Sequence, residues 1–166
     1  EKMGEIWYAS HIYIYSRENE SGYVNKTNGY EIKKIPLCSG LFKGGGFKLN
    51  LFWLFSTIGG KSKIYVCYDK NKPVHYSYVT EKCMKFPFLK KDEIHIGPCY
   101  TAESHRGRGI YPAVLNERIK NYKDKTAILI IDDKNNSSIK GAEKAGFVRQ
   151  DRSVEAHGPL RIYKKS

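Results

Sequence analysis

The chain lacks any apolar run near the roughly 18 to 20 residues that a bilayer span requires. Its most apolar stretch, LNLFWLFSTIGG, is far shorter and reads as a buried element. No CxxC pair exists among the four cysteines (Cys38, Cys67, Cys83 and Cys99), and the His and Cys residues show no metal-ligand spacing. A zinc module and a disulfide scaffold are therefore poor accounts, and no metal is expected. No secretory pattern opens the sequence, so a cytoplasmic protein with reduced thiols is expected. Internal repeats and low-complexity linkers are also missing. Acidic residues are outnumbered, 17 against 29 Lys and Arg, which leaves a formal charge of +12. That balance favours anionic partners: nucleic acid, a membrane face or a phosphorylated small molecule. The lysines are dispersed (Lys33, Lys34, Lys90, Lys91, Lys123, Lys125, Lys164, Lys165). A solvated basic surface explains them equally well, and no nucleic-acid recognition motif accompanies them.

What remains is a chain of 166 residues, 40% hydrophobic, enough for one domain with a proper core. EIWYASHIYIYSR reads as a long strand or strand pair, and SGYVNKTNGYE carries turn chemistry. KGGG reads as a flexible connection, and FKLNLFWLFSTIGG fits a helix ended by Gly59 and Gly60. KIYVCYDKNKPVHYSYVTE is the clearest hairpin, two Tyr- and Val-rich runs around the polar DKNKP. A strand follows over residues 92 to 101. Pro112 suits the first turn of a helix whose Leu115, Ile119 and Tyr122 share one face. TAILIID suits a central strand covered on both sides. NNSSIKGAEKAGF offers Asn and Ser caps, a short helix and a stop at Gly146. Two strands, near 147 to 154 and 159 to 164, close the chain. The order implies an α/β or α+β sheet with at least one crossover.

The stretch EIHIGPCYTAESHRGRGIYPAVL runs a strand through Pro98 into an Arg- and Gly-rich turn and then into a helix. A helix N-terminus presents unpaired N–H groups and positive potential, glycines let a ligand approach the backbone, and arginines fork onto phosphate oxygens. HRGRGIYP thus has the makings of a phosphate cradle, although an ordinary strand–helix connection with surface arginines has the same composition. It is not a Walker loop, and Pro112 stands where GxGxxG needs its third glycine.

Arg106-Gly107-Arg108-Gly109-Ile110-Tyr111 resembles the Arg/Gln-x-x-Gly-x-Gly/Ala signature of the GNAT superfamily, the acyl-coenzyme A-dependent N-acyltransferases. Glu93 to Thr101 resembles that family's fourth strand. Asn135-Asn136-Ser137-Ser138 with Glu143-Lys144-Ala145-Gly146-Phe147 resembles its second conserved block. The likeness covers about residues 64 to 163. It implies one GNAT-like domain over 1–166: a mixed, mostly antiparallel twisted sheet flanked by helices, with a bulged central strand splayed for coenzyme A. Residues 1–63 would form a variable acceptor-side region and 64–166 the coenzyme-binding core.

The resemblance further implies acetyl-coenzyme A as co-substrate. Backbone groups of Cys99, Tyr100 and Thr101 would meet the pantetheine arm, amides of Arg106, Gly107, Arg108, Gly109, Ile110 and Tyr111 the pyrophosphate, and Asn135 with Ser138 the arm's other side. Pro98 agrees independently, since proline is at home in a bulge. His95 stands where many relatives carry Glu and is the first candidate for general base, its ordinary pKa of about 6.5 suiting neutral pH. Glu93, two residues earlier, faces the same way and either orients that ring or is the base itself. Both also fit a solvated sheet face. The chain departs from the family pattern at Ala142, where many relatives place a Tyr acid, and at Tyr111, where they place Gly or Ala. Cys99 reads as a small buried residue rather than an activated nucleophile.

The expected activity is transfer of an acetyl group to a primary amine of a small or nucleotide-linked acceptor, an amino sugar among the options. Protein or peptide amines come next. A non-catalytic coenzyme A sensor and a nucleic-acid-binding module are the readings from other classes, and a homodimer stays open.

Overall fold

The computed structural model describes residues 12–17, 29–36, 61–122, 124–157 and 162–165. The expected helix ending at Gly59 and Gly60, the turn in residues 21–28 and the KGGG connection lie outside them, as do the side chains of Trp7, Tyr8, Tyr13, Phe52, Trp53 and Phe55. The strands are β1 (Ile12–Arg17), β2 (Glu31–Pro36), β3 (Ser62–Asp69), β4 (Lys72–Thr80), β5 (Glu93–Thr101), β6 (Thr126–Asp132), β7 (Val148–His157) and β8 (Ile162–Lys165). Two helices, α1 (Ile110–Lys120) and α2 (Asn136–Lys144), follow β5 and β6. The strands form one mixed sheet of eight in the order β2-β3-β4-β5-β6-β1-β7-β8. β5 and β6 run parallel, joined by α1 as a crossover; the other described neighbours are antiparallel.

The period-2 alternation of β6 explains its place. Ala127, Leu129 and Ile131 face the helices and join Leu115, Ile119, Ala142, Ala145, Ile94, Ile96 and Tyr65 in one core. Ile128 points the other way, to Ile12, Ile14, Val154 and the Cys83, Phe86 and Leu89 side chains of the β4–β5 connection. A strand apolar on both faces needs cover on both, and it has it. β1 obeys the same rule: Ile12 and Ile14 serve one core and Tyr15 the other, so this N-terminal strand sits between β6 and β7 rather than at an edge. Ile12–Arg17 is thereby packed into the middle of the sheet, next to the region from residue 64 onward.

Local chemistry sets the joints. The β3–β4 hairpin turns on Lys70 and Asn71, both at positive φ (45° and 68°), the pairing a two-residue turn demands of a twisted ladder. Asn135 caps α2, its Oδ1 accepting from the Ser138 N–H at 3.2 Å and the Ser137 hydroxyl at 3.0 Å. Gly146 ends that helix at φ 78°. Arg17 of β1 donates to Asn116 Oδ1 of α1 and to the Ala145 carbonyl after α2, tying strand to both helices. No helix among the described residues is long and apolar enough to cross a membrane.

The helices approach closely at Gly141, where an added Cβ would stand 2.5 Å from Cδ1 of Tyr111. Gly141→Ala is expected to destabilise the fold by about 1–3 kcal/mol through overpacking. In a Tyr111→Ala background the same change is expected to be neutral or stabilising by up to about 1 kcal/mol, as Gly→Ala is in an open helix. Urea melts of the four proteins check both.

Candidate functional site

The site begins with a bulge. β4 and β5 pair at Val79–Ile96 and again at Ser77–Cys99, two residues on β4 against three on β5. The extra residue falls at Gly97–Pro98, where proline has no N–H to give a ladder. Gly97 has a φ of 149°, and a Cβ there would meet His95 Cε1 at 3.0 Å. On β5's other side the parallel ladder holds for three pairs, Glu93–Thr126, Ile94–Ala127 and His95–Ile128, and then stops although both strands continue. Past that point β5 and β6 are unpaired, a gap in the ladder on the sheet face that α1 and α2 cover.

At the mouth of this gap, β5 passes through a short 3-10 turn (Glu103–His105) into the Arg106–Gly109 loop. Gly107 and Gly109 both sit at φ 76°, with no described residue within 4 Å of an added Cβ. Gly109 is the N-cap of α1 and no side chain among the described residues caps the helix, so its first turn keeps N–H groups and positive potential. Arg106 Nε donates to the Thr101 carbonyl at 3.2 Å, and its guanidinium lies 5.9 Å from the Tyr100 ring centroid. Arg108 is exposed. His105 moors the loop to the β3–β4 hairpin through Asp69 Oδ2 at 3.1 Å.

Along β4 and the end of β5 runs a polar chain whose β4 members, His75 and Ser77, sequence reasoning did not single out. His75 Nδ1 pairs with Thr101 Oγ1 and Nε2 with Ser77 Oγ, both at 2.8 Å, and Ser77 also bonds the Cys99 side chain. Burial, then the Arg118 charge, holds the His75 pKa down at about 3. Burial pushes the Cys99 thiol up to about 11, so it is a thiol at neutral pH and no ready nucleophile. Arg118 of α1 is fully buried, its guanidinium 3.5 Å from the Tyr65 ring centroid and its nitrogens without hydrogen-bond partners among the described residues. Burial lowers its pKa to about 9. The alternation of YVCYDKNKPVHYSYV marks a hairpin but does not distinguish these polar positions from surface ones.

The two expected bases share the sheet face opposite the helices, at the closed end of the gap. Each has another role there. Glu93 is buried; its Oε1 accepts from Arg152 Nη1 and its Oε2 from the Lys90 N–H, both at 2.9 Å. His95 lies under Phe86, ring centroids 4.1 Å apart, with Nδ1 buried and without a hydrogen-bond partner among the described residues. Burial, then Lys85, lowers its pKa to about 3. Neither is the solvated sheet-face residue that the sequence also allowed. Arg152 reaches Glu93 because β7 bulges against β1, four residues from Arg149 to Ser153 spanning two from Tyr15 to Tyr13. Cys99, Tyr100 and Thr101 form the stretch of β5 past the bulge, paired with Ser77, Tyr76 and His75 of β4; Asn135 and Ser138 stand at the start of α2, the Asn135 oxygen engaged as its cap. No cluster of three or more metal-ligating side chains occurs among the described residues.

No protein-family model matches the sequence, and no curated protein matches it. Solved structures do match. A GNAT-family acetyltransferase from Colwellia psychrerythraea superposes with a TM-score of 0.57 at 14% identity, over 84% of this chain and 53% of that one. A GCN5-related N-acetyltransferase from Sphaerobacter thermophilus gives 0.56 at 15% identity, over 85% and 49%. A tandem GNAT protein from the clavulanic acid biosynthesis pathway gives 0.56 at 11% identity, over 87% and 51%. The chain spans about half the length of these proteins. It has the GNAT superfamily fold.

The two buried imidazoles set a pH dependence. Folded, each has a pKa of about 3; unfolded, about 6.5. The unfolded chain therefore binds more protons between those values, and stability falls as pH drops through that window. From pH 7.5 to 5 the loss is expected to be roughly 2 kcal/mol per histidine. His95→Phe, which keeps the ring against Phe86, is expected to remove about half of that slope in urea titrations.

Proposed function

We propose that the chain is an acyl-CoA-dependent N-acyltransferase that transfers an acetyl group to the primary amine of a small-molecule acceptor. One observation carries the reading: the parallel β5–β6 ladder stops at His95–Ile128 beneath two helices, and the gap leads out to an uncapped helix N-terminus. An extended arm that hydrogen-bonds like a strand has a place beside β5, and a pyrophosphate has one at Arg106–Tyr111. The glycines fit that group, since any Cβ at Gly107 or Gly109 would project into the open space a phosphate would use. Low identity and half-length coverage make the neighbours evidence of fold, and the activity rests on the site.

In this reading the amides from Arg106 to Tyr111 bind the pyrophosphate, and Cys99 to Thr101 hold the arm along β5. The Asn135 cap and Ser138 present the start of α2 on the far side. When bound, the coenzyme supplies the activated acyl thioester. The N–H past the bulge that faces the gap, that of Cys99 or of Tyr100, would polarise the acyl carbonyl. His95 stands at the closed end, facing the sheet side from which an amine would approach. Its unpartnered Nδ1 is neutral at physiological pH. An amine would meet this nitrogen only once the Phe86 ring moves off it. His95 would then accept a hydrogen bond from the amine and orient it, while a pKa of about 3 makes it a weak base. Glu93, pinned by Arg152, keeps that end of β5 in register. Tyr76 and Tyr100, stacked 5.6 Å apart beside the Arg106 guanidinium, suit an acceptor that carries a ring and an anionic group, as a nucleotide-linked amino sugar does.

A coenzyme A sensor is the second reading, favoured by Ala142 and by the engaged Glu93. The two separate in one experiment. Isothermal titration with acetyl-CoA is expected to give micromolar binding that Gly109→Asp abolishes. Gly109→Asn, which meets the same backbone demand without the charge, is expected to retain most of it. Turnover with an amine panel that falls about 10²-fold in His95→Ala with binding intact supports the enzyme; binding without turnover of any amine supports the sensor.

A further inference from the structure

We infer that the Tyr111 ring is the gate of the gap, and that an acyl-CoA arm enters only when this ring is displaced. The inference rests on the acyl-CoA reading. Tyr111 is the second residue of α1, directly after the glycine loop. Its ring reaches across to α2, where a Cβ on Gly141 would stand 2.5 Å from Cδ1 and 2.9 Å from Cε1. On the opposite side it lies 6.1 Å from the His75 ring of β4, and it packs on the same core as Cys99 of β5. The ring therefore reaches from the helix-covered face of β4 and β5 to α2. An arm lying along β5 as an added strand needs a lane about 4.8 Å from that strand. Tyr111 stands in that lane.

Two further features make the ring a gate rather than a wall. Gly141 is what lets it lie there, since any side chain at that position would drive the ring away. The neighbouring glycine loop leaves space, since no described residue lies within 4 Å of where a Cβ on Gly107 or Gly109 would stand. A Tyr ring moves on two soft torsions, so it can turn toward that space without disturbing α1. The arm's affinity is then reduced by the fraction of molecules whose ring is out, whereas a ligand with only the phosphate end is unaffected.

The test uses two probes, acetyl-CoA and its armless counterpart adenosine 3′-phosphate 5′-diphosphate. Both are titrated calorimetrically into the wild type, Tyr111→Phe and Tyr111→Ala. Acetyl-CoA is expected to bind Tyr111→Ala at least 10-fold tighter than the other two proteins, read as the ratio to the armless probe, which shares any change at the Tyr111 amide. Tyr111→Leu replaces Tyr111→Ala if the latter does not melt cooperatively. Equal acetyl-CoA affinity across the series, or weaker binding on truncation, would overturn the gate while leaving the acyl-CoA reading in place. Failure of both probes to bind any folded variant would overturn that reading, and the gate with it.

Discussion

The site depends on a ladder that is interrupted. β5 and β6 are parallel neighbours for three residue pairs only, because the bulge at Gly97–Pro98 turns the rest of β5 away. Backbone groups left without a strand partner at the middle of a sheet are costly unless something else satisfies them. A sheet that ends pairing between two central strands, roofs the gap with two helices and leaves one helix uncapped at its mouth has the shape of a ligand slot. The bulge also sets the side chains: beyond it Cys99 and Thr101 come to lie on the His75 and Ser77 side, under α1.

Polar burial is concentrated around that interruption. Glu93 with Arg152, His95 under Phe86, His75 between Ser77 and Thr101, and Arg118 over Tyr65 all sit within one or two strands of the gap. Burying such groups opposes folding, so a fold that keeps them beside one gap makes that gap the natural place for function. The charged groups differ in how they are accommodated. Glu93 has a cation and a backbone N–H, whereas Arg118 has an aromatic face and no hydrogen bond among the described residues. Arg118 carries a lowered pKa in consequence.

Much of this was legible in the residues. The Lys70–Asn71 hairpin, the Pro112 helix, the doubly buried β6, the Asn135 cap and the Gly146 stop are local events, dictated by turn chemistry, capping and period. The Arg-Gly loop and the bulge at Pro98 follow from residue types that few other conformations accept. The central position of Ile12–Arg17 was not legible. Alternation marks a strand apolar on both faces, but which neighbours it takes is decided by the whole sheet.

The site residues divide in the same way. That His95 and Glu93 share a face is a matter of strand period, and the sequence alone determined it. That Phe86 covers one and Arg152 holds the other depends on a connection and a strand far away in the chain. Tyr111 in place of a small residue was visible as a departure from the family pattern. Only the packing of α1 against α2 put its ring on Gly141. Local backbone preference acts over a few residues and can be read from them. Burial, ion pairing and steric closure arise between segments dozens of residues apart, and they exist only once the chain has folded.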